Sequence, residues 1–247
     1  MNKELLYKHL DSYLSRVNLD NDLKERLERE EYYKSYTSDK IVSMDEAEFY
    51  EYISKLWAMI IWGNKHYIID KYINDNGFEN IKKSIAYLLY GNDSIEVRWD
   101  TFKEKIKGFG PAMMSELLCY INPNEYMIWN TTALNAYKYL GIKDVPTHNY
   151  QLTGQKYMEL TQHSKEIQKV ILERYNRNEN LLFVDYFFWD RLRELELINE
   201  EKNQSKETVV NNKSYHNEII DYIKNIGSLL GSFCSAKRVS DPFLSHL

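Results

Sequence analysis

Apolar side chains recur every three or four residues along most of this chain, and this spacing is what most constrains its fold. Such spacing lines up one apolar stripe along an α-helix. No segment shows the alternation with a period of two that half-buried strands require. Only nine Gly and four Pro occur among 247 residues, which leaves few turns for a sheet of short strands. We therefore expect an all-α fold.

Caps and stops set the expected helix boundaries. Ser43 and Glu46 have capping-box spacing at the start of a helix that we expect to end at Gly63. A long helix is expected from about Gly154 to Tyr175. The segment LLFVDYFFWDRLREL is ambiguous between a buried strand and a helix, and its RLREL end favours a helix. Further helices are expected at the N-terminus and in NDLKERLEREEYYKSY, HYIIDKYINDN, ENIKKSIAYLLY, EVRWDTFKEKI and TTALNAYKYL.

Composition excludes several classes of protein. The formal net charge of −5 argues against nucleic-acid binding over the whole surface, although it leaves room for a local basic patch. Cys119 and Cys234 argue against a cysteine zinc site, an iron–sulfur cluster and a disulfide framework, because they are far apart. No two histidines have metal-ligand spacing, so we predict no metal site. The apolar run Leu56–Trp62 is shorter than the roughly 20 residues that a membrane span needs. We expect this run to lie in the core of a cytoplasmic protein that has no membrane partner.

The chain divides by composition into three parts. Residues 1–198 are expected to form the helical domain. Residues 199–214, NEEKNQSKETVVNNKS, are polar and lack aromatic side chains, which is typical of a flexible linker. Residues 215–247 begin with an amphipathic segment, YHNEIIDYIKNIGSLLG, that predicts a C-terminal helix followed by a tail.

The segment IKGFGP, from Ile106 to Pro111, has the composition of a tight hairpin between two helices. Gly108 and Gly110 permit backbone angles and close approaches that a Cβ atom would prevent. Pro111 suits the first turn of the following helix, whose free amides and positive dipole can hold a phosphate. The alternative is a hairpin that only packs.

Arg98, Lys103, Lys105 and Lys107 form a local basic cluster that leads into this hairpin. A phosphate contact would use these cations together with the backbone of the hairpin. The alternative is that the charges are simply solvated. The expected DNA-binding residues are Arg98, Lys103, Lys105, Lys107, Gly108, Phe109 and Gly110.

The hairpin, the helix after it and the start of the next helix resemble the helix-hairpin-helix DNA glycosylase superfamily, over residues 98–141. This resemblance implies a hairpin unit at residues 98–120 and a catalytic aspartate about twenty residues after the last hairpin glycine. Asn130 lies twenty residues after Gly110. The lysine that some members use to form a Schiff base would fall on Ala112. The resemblance therefore implies a glycosylase architecture whose two catalytic side chains have been replaced.

Asn130 and Trp129 are the expected base-binding residues of this altered cleft. An asparagine amide can pair with a base edge, and a tryptophan ring can stack on a base. An amide is a poor substitute for a carboxylate in stabilising positive charge or activating water, so we expect Asn130 to be inactive. The alternative role of Asn130 is to cap the next helix.

Two segments, residues 88–130 and VDYFFWDRL, also resemble the DNA-reading parts of bacterial restriction proteins. The C-terminal amphipathic segment resembles the first helix of a PD-(D/E)XK nuclease. The E-x-K pattern that such a nuclease uses occurs after the hairpin only at Glu200–Lys202, inside the expected linker. Two interpretations stay open: the chain is truncated or frameshifted near Gly231, or the segment serves as a dimerisation or docking element. Mg²⁺ is implied only if a nuclease domain is present, and we expect no other cofactor.

Three functions remain open from the sequence. The first is a DNA-binding protein or subunit of a bacterial restriction or defence system, which binds double-stranded DNA, with or without modified bases, alongside a nuclease or motor subunit. The second is an active base-excision glycosylase. The third is a helical scaffold with a purely structural hairpin. A type II restriction endonuclease chain is a further form of the first, so enzymatic activity remains an open question at this stage.

Overall fold

The computed structural model describes residues 1–16 and 19–192. Within these ranges the chain forms eleven α-helices, two 3₁₀ turns and one π-helical turn, and no strand. The all-α prediction is therefore confirmed for this part of the chain. The described residues belong to one compact unit, Met1–Glu196. Outside them lie the linker at 199–214, the C-terminal segment at 215–247, Glu200–Lys202 and Cys234.

The helices follow one another with short connections, and most lie where their periodicity predicts. The long helix α10 has the predicted bounds, and the ambiguous segment after it is helical over its described residues, 181–192. No described helix combines the length and the apolarity needed to cross a bilayer. The helices are α1 (Lys3–Leu14), α2 (Leu19–Lys34), α3 (Ser38–Ser43), α4 (Glu46–Ser54), α5 (Lys65–Asn76), α6 (Phe78–Tyr90), α7 (Ile95–Lys105), α8 (Pro111–Ile121), α9 (Thr131–Tyr139), α10 (Gly154–Tyr175) and α11 (Leu181–Phe187). The 3₁₀ turns are Trp57–Met59 and Asn149–Gln151, and the π-helical turn Phe188–Leu192 extends α11.

Polar side chains cap most of these helices at their N-termini. Each accepts a hydrogen bond from the backbone amide three residues later, which satisfies one of the free donors of the first turn. Capping is therefore the common role of a short polar side chain at these positions. The capping residues are Asn2, Thr37, Asp45, Asn64, Ser94, Asn130, Thr153 and Asn180.

The expected capping box at Ser43 and Glu46 is wrong by two residues. Ser43 is the last residue of α3, and its hydroxyl donates to the carbonyl of Lys40. The actual box joins Asp45 and Glu48, which have the same spacing: the Glu48 amide lies 2.8 Å from Asp45 Oδ1, and the Asp45 amide lies 3.3 Å from Glu48 Oε2. The sequence contains two overlapping capping-box patterns, and the structure forms the second one because Ser43 belongs to α3.

The expected helix stop at Gly63 is also wrong, because α4 ends at Ser54. The chain then turns through Trp57–Met59 instead of continuing as a helix. Leu56 and Met59 are buried as expected. Exposed fractions of 61% for Ile60, 81% for Ile61 and 42% for Trp62 contradict the prediction of core for the second half of the run.

Helix α8, which follows the hairpin, lies at the centre of the unit. Nine of its eleven residues are buried, and it packs against α2, α6 and α11. A helix that is apolar on all sides belongs inside a protein. The hairpin at its N-terminus is therefore attached to the most constrained element of the fold.

Candidate nucleic-acid interface

The hairpin connects α7 to α8 through two buried apolar anchors. Ile106 and Phe109 are each 3% exposed, whereas Lys107 and Gly108 between them face solvent. The Phe109 ring packs 5.4 Å from that of Phe102 and 5.9 Å from that of Tyr72, measured between centroids. The side chain of Phe109 therefore belongs to the core. Only its backbone remains as a candidate contact, which corrects its inclusion among the expected DNA-binding side chains.

Gly108 is required by the hairpin itself. Its φ of +82° lies in the left-handed region, which is costly for residues with a Cβ atom. A Cβ at this position would also lie 3.1 and 3.2 Å from two ring carbons of Tyr72. The backbone conformation and the packing against Tyr72 are therefore both internal reasons for a glycine at position 108.

Gly110 has no comparable internal requirement. Its φ of −82° and ψ of 170° are extended angles that any residue adopts. A Cβ here would meet only the side-chain nitrogen of Asn149, at an ordinary contact distance of 4.0 Å. The missing side chain leaves open space in front of the first turn of α8.

The hairpin backbone is held by a single asparagine from α5. The Lys107 amide donates to Asn76 Oδ1 over 2.7 Å, and Asn76 Nδ2 donates to the Lys107 carbonyl over 3.0 Å. The amides of Gly108 and Gly110 have no acceptor among residues 1–16 and 19–192. Asn76 therefore fixes the path of the loop while these two donors stay available.

The structure divides the predicted basic cluster into two groups. Lys105 and Lys107 are exposed and form no ion pair within the described ranges. Lys103 is instead engaged, because its Nζ donates to the carbonyls of Asn149, over 3.1 Å, and Leu152, over 2.7 Å.

Arg98 is a buried structural residue and not a surface cation. It is 7% exposed, and its guanidinium donates to the Leu88 carbonyl over 2.6 Å and to the Tyr126 hydroxyl over 3.2 Å. This corrects its inclusion in the expected basic patch. Of the four predicted basic residues, Lys105 and Lys107 keep a free charge beside the hairpin.

Trp129 and Asn130 immediately precede α9, and Trp129 contacts the first half of α8. The Trp129 amide donates to Ser115 Oγ over 2.8 Å, which ties this connection to α8. The Trp129 side chain is only 6% exposed and packs near Tyr137. The Trp129 ring is part of the core, so no exposed ring is available at this position for the expected stacking on a base.

Asn130 caps α9, since its Oδ1 accepts from the Ala133 amide over 2.9 Å. Its side chain also lies near the carboxylate of Asp185, on α11, and lowers the pKa of that carboxyl. The cap is the alternative role that the residue type indicates for Asn130.

Asp185 is a buried carboxylate in a network that joins three helices. It is 5% exposed and forms an ion pair with Arg26 of α2. Burial raises the pKa of Asp185, while Arg26 and Asn130 act in the opposite direction. The Arg26 guanidinium lies 4.0 Å from the ring centroid of Trp57 and 4.7 Å from that of Tyr186. These contacts hold its charge inside the protein.

Glu116 is a second buried carboxylate, on α8. Its two oxygens accept hydrogen bonds from the amides of Trp57, over 2.7 Å, and Ala58, over 2.9 Å. Burial raises the pKa of Glu116 to about 7, and the nearby charge of Asp185 acts in the same direction. This contact explains why the chain turns at Trp57. A lone glutamate in the apolar helix PAMMSELLCYI was the signal in the sequence that could have identified it.

Two surface clefts occur away from Asn130. One, of about 250 Å³, is bordered by α2 and the start of α11 and includes Arg26 and Phe183. The other, of about 410 Å³, is polar and includes Asp144, Gln151 and Lys156. Neither is lined by Trp129 or Asn130. In the described part of the chain, no three His, Cys, Asp or Glu side chains converge as metal ligands.

Comparisons with protein-family models, with curated proteins and with solved structures found no match.

Proposed function

We propose that this protein binds DNA through the hairpin Ile106–Pro111 and serves as the DNA-reading part of a bacterial restriction or defence system. In this role, the free amides around Gly108 and Gly110 hold a backbone phosphate at the start of α8. Contacts of this kind position a protein on DNA without reading its sequence. Lys105 and Lys107 add positive charge at the same place.

The observation that carries this proposal is Gly110. Nothing inside the described protein requires a glycine there, whereas a phosphate approaching the amides does require open space. A side chain at this position would stand in front of the donors. The negative net charge of the whole chain is compatible with such a contact, because the phosphate site needs only local positive charge.

The proposed role is binding and not base excision. The side-chain oxygen of Asn130 caps α9, so the atom that could act on a substrate is already engaged. Ala112 cannot form a Schiff base. With Trp129 buried as well, the hairpin supports DNA binding more strongly than the altered cleft does.

An active glycosylase is the second candidate, and Asp185 is the observation that favours it. A carboxylate does lie beside Asn130, supplied by α11. Its burial and its ion pair with Arg26 count against a direct role in chemistry. Incubation with duplexes that contain uracil, 8-oxoguanine or an alkylated base tests this candidate. Base release that is lost in Asp185→Asn but retained in Glu125→Gln, a surface control, would favour it.

Gly110→Ala tests the proposed function directly. Dissociation constants for several unrelated duplexes, measured by fluorescence anisotropy, are expected to rise by a similar factor, roughly 10-fold or more, if a bond to a charged phosphate is lost. Gly63→Ala is the matched control, because a Cβ at Gly63 meets no atom within 4 Å and one at Gly110 meets only Asn149, at 4.0 Å. Equal binding by both variants would remove the hairpin from the interface. If the unmodified protein bound none of the duplexes, a helical scaffold with a purely structural hairpin would be the remaining candidate.

A further inference from the structure

A short aromatic turn lies beside the hairpin. The 3₁₀ turn Asn149–Gln151 carries Tyr150, which is 76% exposed. The Tyr150 ring lies 5.4 Å from the ring of His148, between centroids, and the two planes differ by only 9°. The Tyr150 ring is therefore accessible to a ligand.

Internal hydrogen bonds shape this turn. Gln151 Oε1 accepts from the amides of Thr147, over 3.0 Å, and His148, over 3.1 Å. The Gln151 amide in turn donates to the His148 carbonyl over 3.0 Å. These hydrogen bonds join the residues before and after Tyr150 and hold the backbone of the turn in place.

Side chains of helix α7 hydrogen-bond to the backbone of this turn. Lys103 Nζ bonds to the carbonyls of Asn149 and Leu152, and Trp99 Nε1 also donates to the Leu152 carbonyl, over 3.1 Å. Just beyond the turn, the Gly154 amide donates to Asp100 Oδ1 over 2.8 Å. Tyr150 thus stands on a backbone that is fastened at several points to the helix leading into the hairpin.

The turn and the hairpin adjoin each other. The side-chain nitrogen of Asn149 lies 4.0 Å from the position of a Cβ atom on Gly110. A DNA strand with a phosphate at Gly110 would therefore pass next to Asn149 and its neighbour Tyr150.

We propose that Tyr150, supported by His148, is a stacking platform for an unpaired nucleobase of the strand whose phosphate the hairpin holds. This inference rests on the proposed function and specifies its ligand: a strand with at least one unpaired nucleotide next to the bound phosphate. Bases inside a duplex are already stacked on each other, so an exposed ring gains contact only with an unpaired base. Aromatic stacking of this kind tolerates any base sequence.

The test compares Tyr150→Ala, Tyr150→Phe and the control Tyr67→Ala, using one short single strand of mixed sequence and the corresponding fully paired duplex. Tyr67 is a matched control, since it is 63% exposed and lies about 14 Å along α5 from Asn76, which holds the hairpin. Tyr150→Ala is expected to weaken binding of the single strand roughly 5- to 100-fold. Duplex binding is expected to change less than twofold, and Tyr150→Phe is expected to bind as the unmodified protein does.

A 2-aminopurine in the single strand gives an independent measurement. Its fluorescence is expected to be quenched on binding to the unmodified protein and to Tyr150→Phe, but not to Tyr150→Ala. Equal loss of duplex and single-strand affinity, or no loss of either, would overturn the platform. Binding that depends on Gly110 but not on Tyr150 would overturn the platform alone. Failure of the unmodified protein to bind either DNA would overturn the proposed function itself.

Discussion

The buried carboxylate of Asp185, on α11, forms an ion pair with Arg26 of α2, and the side chain of Asn130, at the start of α9, lies near enough to lower the pKa of the same carboxyl. Asn130 occupies the position where the resemblance to DNA glycosylases implies a catalytic aspartate. In this chain a carboxylate is present beside that position, but it comes from another helix and is paired with an arginine. The network therefore has a stabilising role that can be measured separately from DNA binding.

Asn130→Asp is expected to destabilise the protein at pH 7 by about 2–4 kcal/mol, because it places a second carboxylate near the buried carboxylate of Asp185. Two neighbouring carboxylates raise each other's pKa, so the folded state binds protons more readily than the unfolded state does. The penalty is therefore expected to be small at low pH and to grow as the pH rises through the raised pKa values. Urea unfolding between pH 4 and pH 7 measures it.

The matched control is Asn64→Asp, which changes the same residue type at the exposed cap of α5. Asp and Asn cap helices about equally well, so this variant is expected to stay within about 0.5 kcal/mol of the unmodified protein. A similar pH dependence in both variants would show that the effect at Asn130 does not come from Asp185.

Arg26→Met is expected to cost about 3–5 kcal/mol, since it leaves the Asp185 carboxylate buried without its cation. Adding Asp185→Asn is expected to cost less in this background than in the unmodified protein, because no unpaired charge remains. A double-mutant cycle by urea unfolding measures this coupling. Additive losses would contradict the pairing of these two side chains.

Glu116→Gln tests the second buried carboxylate through the pH dependence of stability. The folded pKa of about 7 lies above the ordinary value of 4.5, so the unmodified protein is expected to lose stability between pH 4.5 and pH 7. With about 1.4 kcal/mol for each pKa unit, the loss relative to Glu116→Gln is about 3 kcal/mol across this window. Parallel stability curves for the two proteins would show that the Glu116 carboxyl titrates normally.

The local features of this fold could be predicted from the sequence, and the long-range contacts could not. The bounds of α10 follow from its own periodicity, and the cap at Asn130 follows from residue type. The turn at Trp57 depends on Glu116, which is far away in the sequence, and no local pattern specifies it. For the same reason, the sequence indicates neither the partners of Asp185 nor the burial of Arg98, which tertiary packing determines.

Gly108→Ala is expected to lower the free energy of unfolding by about 1–2 kcal/mol, because the left-handed backbone angle becomes strained and Tyr72 must shift. Gly110→Ala is the matched comparison, with an expected change within about 0.5 kcal/mol. Thermal or urea unfolding of both variants measures the difference. Equal losses would mean that Gly110 also has an internal role, which would remove the main support for a phosphate at this position.

Lys107→Ala separates a phosphate contact from simple solvation of the charge. Lys107 is exposed on a backbone that Asn76 holds in place, so the substitution is expected to leave stability nearly unchanged. If Lys107 neutralises one phosphate, a plot of the logarithm of the binding constant against the logarithm of salt concentration becomes shallower by about one unit.

The control for this measurement is Lys169→Ala, whose side chain is 70% exposed and lies about 22 Å along α10 from Gly154, the end of that helix fastened to α7. Its salt slope is expected to equal that of the unmodified protein, because it lies far from the hairpin. A slope that changes equally in both variants would indicate a general effect of net charge. An unchanged slope in Lys107→Ala would mean that this lysine does not contact a phosphate, and the hairpin would then have to bind through its amides alone.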